Sequence, residues 1–163
     1  MNNKILTQAE LFRKTDEAKA SGRKVVFTNG CFDLLHAGHA RYLALAADQG
    51  DVLVVAVNSD KSVKSIKGAS RPIVPQSDRA ELVAALGCVT WVTLFDEDDP
   101  GQIIRRILPD VLVKGADWAE DKIIGAAEVK AAGGRVFRAP LSEGLSTTAI
   151  INRIRLLDIS HDS

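Results

Sequence analysis

The chain has 163 residues, with 21 Lys+Arg against 21 Asp+Glu, so its formal net charge at pH 7 is zero. That length suits one domain with a core that stands without disulfides or a structural metal, and 46% hydrophobic residues exclude a disordered chain. With no basic excess to neutralise a phosphate backbone, and no apolar run near the roughly 18 residues of a membrane span, neither nucleic-acid binding nor membrane insertion is expected.

Thr7-Gln8-Ala9-Glu10 has capping-box spacing and Gly22 is a stop signal, which predicts a helix over 8–21. The opening residues lack the apolar stretch of a signal peptide. Val25-Val26-Phe27 is a short apolar run that begins a core extending from about 24 to 157, and a glycine turn follows at Gly30. From Gly38, the residues Ala40, Leu43, Ala44 and Ala47 recur at helical spacing until Gly50. DVLVVAV (51–57) is a nearly continuous β-branched run, as a parallel strand buried on both faces requires.

A further helix is expected from Ser77-Asp78, through Leu82, Val83 and Leu86, to Gly87. WVTLF (91–95) is the next strand, with Trp91 expected in the core. Asp99-Pro100 is read as an N-cap followed by proline at the first helical position of a helix lined by Ile103, Ile104, Ile107 and Leu108. VLVK (111–114) is a strand, 126–132 a helix ended by Gly133-Gly134, and RVFR (135–138) the last strand. Residues 147–157 form a closing helix with an apolar face of Ile150, Ile151, Ile154 and Leu157. Strands alternating with helices predict an α/β fold: a doubly wound, Rossmann-like, five-stranded parallel sheet with helices on both faces, in one domain over 1–163.

In such a sheet, ligands bind beyond the carboxyl ends of the strands, near the switch point. Neither GxxxxGK[ST] nor GxGxxG occurs, which removes the two commonest phosphate cradles. After the first strand, His36 and His39 flank Gly38 where a helix should begin. Free N–H groups, two imidazoles and a glycine that admits close approach suit charge developing on a phosphorus centre. A zinc site is the competing reading of His-x-x-His, but the only nearby further ligand is Asp33. His161 lies near the carboxyl end without such a context and is read as a solvated tail residue. The two cysteines, Cys31 and Cys88, lack CxxC spacing, which fits a reduced, cytoplasmic setting. Cys31 has no assigned base and reads as a packed or backbone-contacting thiol rather than a nucleophile.

GCFDLLHAGH resembles the HxGH motif of the nucleotidyltransferase superfamily of adenylyl- and cytidylyltransferases. Glu143-Gly144-Leu145-Ser146-Thr147-Thr148 is similar to the segment that opens the last helix of those enzymes. Val57-Asn58-Ser59-Asp60, Lys67-Gly68, Arg71-Pro72, Asp78-Arg79 and Val113-Lys114-Gly115 occur between them in the expected order. The set is most similar to the D-glycero-β-D-manno-heptose 1-phosphate adenylyltransferases, from about Lys24 to about Leu157.

That resemblance implies AMP transfer from ATP to a sugar 1-phosphate, giving an ADP-sugar for lipopolysaccharide core synthesis and pyrophosphate, with Mg²⁺ carried by the ATP phosphates. It implies catalytic roles for His36, His39 and Lys67. It places Asn29, Gly30, Cys31, Phe32, Gly38, Asn58, Asp60, Arg79, Lys114, Gly115, Ser146, Thr147 and Thr148 around the nucleotide. Asp33, Lys64, Lys67, Arg71, Asp117 and Trp118 would meet the acceptor. A homo-oligomer, dimer or tetramer, is also implied, and an acceptor made by a separate enzyme, because the sugar-kinase domain fused upstream in many relatives is absent from these residues.

Hydroxyls and free N–H groups at a helix start suit β- and γ-phosphates, although Ser146–Thr148 also read as plain capping residues. Lys64, Lys67, Arg71 and Arg79 are expected in the loop after strand two and at the head of the next helix, where a solvated cationic face is the alternative. Leu141-Ser142 stand where the related cytidylyltransferases have Arg-Thr, which counts against that branch. Gly115-Ala116-Asp117-Trp118 replaces the Gly-Gly-Asp-Tyr common in the heptose enzymes, and Leu145 replaces an aromatic residue. Cytidylyl transfer to an alcohol phosphate such as glycerol 3-phosphate, and a nucleotide-sensing module without turnover, remain the alternatives.

Overall fold

The structure is a computed structural model that describes residues 3–140 and 144–159. The expected contributions of Leu141, Ser142, Glu143 and His161 lie outside the described residues. In chain order the elements are α1 (Gln8–Ala20), β1 (Val25–Gly30), α2 (Ala37–Ala47), β2 (Val52–Asn58), α3 (Asp60–Lys67), α4 (Gln76–Ala85) and β3 (Trp91–Phe95). They continue with α5 (Gly101–Ile107), β4 (Val111–Gly115), a 3₁₀ turn (Glu120–Lys122), α6 (Ala126–Ala131), β5 (Arg135–Ala139) and α7 (Thr147–Ile159).

The five strands pair in parallel in the order β3-β2-β1-β4-β5, the doubly wound arrangement expected. Because strand side chains alternate between faces, the apolar runs build two cores. Val25, Phe27, Val52, Val54 and Leu112 pack with Leu11, Ile103, Ile104 and Val129 from α1, α5 and α6. Val26, Leu53, Val55, Val57 and Val113 pack with Leu43, Ala46, Ala80 and Val83 from α2 and α4. The β3 edge is not left bare: Leu6 N–H donates to Val92 O and Val92 N–H to Lys4 O, each at 2.8 Å.

Several boundaries differ from the sequence expectation for local reasons. The segment after β2 is not a loop: Ser59 Oγ accepts from Ser62 N at 3.2 Å and opens α3, which ends at Gly68 with φ 93°. Only Val63 and Ile66 mark that helix as amphipathic, so its apolar signal is weak. At α5 the helix begins one residue later than predicted, at Gly101, whose N–H is capped by Asp99 Oδ1 at 2.8 Å. The expected apolar face of α7 is not buried along its length: Ile150 and Ile151 are half-buried, whereas Ile154 and Leu157 are exposed. Trp91 is likewise half-buried, packed against the first core with the Lys14 ammonium 5.7 Å from its ring.

β1 pairs with β2 through Gly30↔Val57, but with β4 only at Val26↔Val111 and Phe27↔Leu112. The two central strands therefore part before their carboxyl ends and open a crevice at the switch point. Thr28 Oγ1 and Tyr42 OH, 2.7 Å apart, lie 3.1 and 3.2 Å from Val113 O and tie α2 across its floor.

Candidate active site

The turn after β1 carries Phe32 in the left-handed region (φ 48°) and delivers His36 as the N-cap of α2. His36 Nδ1 accepts the Gly38 N–H at 3.1 Å, so the proton of the neutral imidazole resides on Nε2, which is then a donor. The His36 and His39 rings stack at 3.9 Å, and Phe32 meets His39 edge-on at 5.4 Å. Burial, and secondarily the neighbouring His36, pull the His39 pKa down to about 4. Burial also holds His36 below its ordinary value. The pair is thus neutral at pH 7 and presents N–H dipoles rather than charges. His39 Nδ1 is buried without a hydrogen-bond partner among the described residues. Gly38 lines the cleft and also makes room for the His36 ring: a Cβ there would stand 2.9 Å from its Cε1 and Nδ1.

Lys114, at the end of β4, donates from Nζ to Asn29 Oδ1 at the end of β1. Among the described residues no carboxylate forms a salt bridge with it, and burial lowers its pKa to about 8. From the third side, Ser146 Oγ accepts Ala149 N–H at 3.0 Å and caps α7, which leaves the Thr147 and Thr148 hydroxyls for the cleft. These parts surround one open cleft of about 790 Å³.

Of the residues singled out from sequence, Asn29, Gly30, Cys31, Phe32, Asp33, His36, Gly38, His39, Asn58, Lys67 and Arg71 line the cleft on the β1–β2 side. Lys114, Gly115, Asp117, Trp118, Ser146, Thr147 and Thr148 line it on the β4–α7 side. Asp60, Lys64 and Arg79 do not. Arg79 is fully buried behind the cleft, where it donates to Cys31 O, to Val74 O at 2.9 Å and to Asp60 Oδ1 at 2.8 Å. Bonded through all three nitrogens and sealed from the cleft, the guanidinium fastens α4 to the β1 turn. Asp60 is occupied by that ion pair, and Lys64 stands exposed on α3.

Asp33 and Asn58 line the cleft but spend side-chain atoms internally. Asp33, 2% exposed, accepts from Arg71 Nε at 2.5 Å and from Ile73 N and Val74 N at 2.8 and 2.9 Å. Asn58 donates to Ser62 Oγ at 2.9 Å. The Cys31 carbonyl, not its thiol, makes the contact to Arg79, and burial raises the thiol pKa, which disfavours a nucleophile.

Sequence reasoning missed Tyr42, Ile66, Asp98, Asp99, Pro100 and Lys122–Ile124 at the cleft. Two signals were available. Tyr42 lies three residues after His39, hence on the same helix face, and Asp98-Asp99 lie in the acidic segment that follows β3 at the functional rim.

A cytidylyltransferase-like family model matches residues 27–153, which contain four of the five strands whole, all but the first two residues of β1, and every cleft-lining residue. The chain belongs to the cytidylyltransferase-like family. It is a nucleotidyltransferase, with the cleft at the position that the doubly wound fold reserves for ligands. It is 52% identical over 154 residues to the Bifunctional protein HldE of Hydrogenovibrio crunogenus, covering 94% of this chain and 32% of that protein. It thus spans about a third of the length of the curated relatives it matches. The crystal structure of the lipopolysaccharide core biosynthesis protein from Thermoplasma volcanium is 30% identical, with TM-score 0.61 over 74% of this chain and 98% of that one. The pantoate-beta-alanine ligase of Francisella tularensis shares the fold at TM-score 0.60 and 13% identity, over 85% of this chain and 67% of the ligase. Among the described residues no helix is long and apolar enough to cross a membrane.

Proposed function

We propose that this chain transfers AMP from ATP to a sugar 1-phosphate, D-glycero-β-D-manno-heptose 1-phosphate being the expected acceptor, and releases ADP-heptose and pyrophosphate. The observation that carries this reading is the convergence of the neutral His36–His39 pair at the mouth of α2 and the Thr147–Thr148 hydroxyls at the mouth of α7 on one cleft. Two helix starts facing one space, with Lys67, Arg71 and Lys114 on its walls, suit two phosphate-bearing ligands. The similarity to proteins named bifunctional, over a third of their length, supports assigning one of two activities to this chain.

In the proposed reaction an oxygen of the acceptor phosphate attacks the α-phosphorus of ATP in line, and the bond to pyrophosphate breaks with its electron pair leaving on that group. Catalysis is then positioning and dipole stabilisation rather than covalent chemistry. His36 Nε2–H donates to oxygens that gain charge. Lys67 brings a cation to the two reacting phosphates, while Lys114 offers an ammonium that burial leaves poorly solvated and eager for an anion.

Mg²⁺ fits as an ion brought by the triphosphate. Among the described residues no cluster of three His, Cys, Asp or Glu is built to hold a metal, and the neutral oxygen donors at the α7 mouth, Thr147 and Thr148, suit the ion or its waters. When bound, the ion neutralises phosphate charge; the chain's own part is to orient the phosphates.

Pyrophosphate release with ATP and CTP, each paired with heptose 1-phosphate and glycerol 3-phosphate, tests the proposal. ATP with heptose 1-phosphate is expected to turn over far faster than CTP with glycerol 3-phosphate. The reverse preference would overturn the adenylyl assignment, and nucleotide binding without turnover on any acceptor would make the chain a sensing module.

A further inference from the structure

We propose that Asp33 is a positioning residue: it aims the Arg71 guanidinium at the phosphate of the acceptor and governs acceptor binding without touching the acceptor. The identity of the acceptor rests on the adenylyltransferase reading; the coupling between the two side chains rests on their geometry alone.

Both Asp33 oxygens are already taken. Oδ2 accepts from Arg71 Nε at 2.5 Å, and Oδ1 accepts from Ile73 N and Val74 N at 2.8 and 2.9 Å. A bare carboxylate at this place would repel an incoming phosphate, whereas here its charge is balanced before any ligand arrives. The held segment is also fastened from behind, because buried Arg79 donates to Val74 O and to Cys31 O. Arg71 therefore leaves a rigid platform.

Its guanidinium is only partly engaged. Nε is held by Asp33, while Nη1 and Nη2 have no partner among the described residues, although the side chain is only 16% exposed and lines the cleft. A planar fork held at one nitrogen presents its Nη1–Nη2 edge, the shape that binds two phosphate oxygens at once. Rotamer freedom that a lone arginine would lose on binding is already spent. Lys67 and Arg71 reach the cleft from the segment after β2, whereas Thr147 and Thr148 reach it from α7. With the triphosphate assigned to the helix mouths, the anion left for Arg71 is the acceptor's phosphate.

The test is a KM split. In Asp33→Asn the amide oxygen still accepts from the Ile73 and Val74 N–H groups, but the amide nitrogen meets Arg71 Nε–H donor against donor. The acceptor KM is expected to rise by about tenfold or more, the size of a lost charge-assisted hydrogen bond, with the ATP KM unchanged. Arg71→Gln should raise the acceptor KM at least as much, and the double variant no further than Arg71→Gln alone, since Asp33 acts through Arg71. Arg71→Lys leaves the loop bonds of Asp33 untouched and covers the case in which Asp33→Asn does not fold; it too should raise only the acceptor KM. Equal rises in the ATP and acceptor KM, multiplying effects in the double variant, or an unchanged acceptor KM would each overturn the proposal.

Thermal-shift titration with inorganic phosphate, with α,β-methylene ATP present to fill the triphosphate positions, reads the same coupling without turnover. Asp33→Asn should weaken phosphate-dependent stabilisation, Arg71→Gln at least as much, and the double variant no further than Arg71→Gln; an undiminished response in Asp33→Asn, or a further loss in the double variant, overturns the coupling. A wild-type protein inactive with every sugar phosphate, whose variants nonetheless show that pattern of losses, would sink the adenylyltransferase reading and leave the coupling standing.

Discussion

Replacing Gly38 by Ala separates what the glycine does for folding from what it does for chemistry. The new methyl carbon would lie 2.9 Å from both Cε1 and Nδ1 of His36 and 3.4 Å from Cβ of Leu145. The imidazole is the part free to move, so it swings away. The 3.1 Å bond from Gly38 N–H and the 3.9 Å stack on His39 are then lost. For folding, two terms oppose: a lost N-cap costs about 1 kcal/mol, and alanine in place of a helical glycine returns up to about 1 kcal/mol. Gly38 is not among the positive-φ glycines, so the backbone adds no strain.

For activity nothing offsets the loss. One donor no longer aimed at the developing charge costs on the order of 10²–10³ in kcat, about 2.7–4 kcal/mol of barrier. Pyrophosphate release and urea unfolding on the same preparation should therefore show Gly38→Ala near wild-type stability with kcat down by that factor. His36→Ala should match it in kcat but unfold about 1 kcal/mol more easily, having lost the cap without the propensity gain. Near-normal turnover in Gly38→Ala, or an activity loss that tracks a stability loss of several kcal/mol, would refute the role given to the His36 ring.

Three further outcomes are expected. The unfolded chain protonates His39 near its ordinary 6.5, whereas the folded chain resists until about pH 4. Stability should therefore fall as pH drops from 6.5 towards 4, be insensitive to this group above 6.5, and fall less in His39→Asn, measured as Tm against pH. With the Lys114 ammonium titrating near 8, nucleotide affinity measured by calorimetry should weaken between pH 7 and 9, and Lys114→Met should bind more weakly and lose that dependence. Arg79→Ala strands Asp60 and the Cys31 carbonyl and should cost about 3–5 kcal/mol in chemical unfolding; a change in nucleotide KM without loss of stability would return Arg79 to the binding site.

Much of this protein was readable before its coordinates. Continuous apolar runs at 25–27, 52–57 and 111–113, alternating with helical stretches, determined a parallel sheet, and position at or after a strand end marked Asn29, Asn58 and Lys114 as rim residues. His36, Gly38 and His39 declared a helix mouth through local spacing alone. These are short-range signals, carried by neighbours along the chain. What tertiary structure decided is where a charge or ring spends its bonding capacity. Arg79 and Lys67 look alike in sequence, yet one is sealed under Cys31 and Asp60 and the other faces the cleft. Asp33 looked like a ligand for substrate until Arg71, Ile73 and Val74, about forty residues away, filled its oxygens. The neutrality of His39 follows largely from burial, which exists only once the chain has packed around it, with the neighbouring His36 a smaller, local cause. Local pattern names the groups present, but desolvation and hydrogen-bond partners are set by residues distant in sequence, and those decide which groups remain free to act.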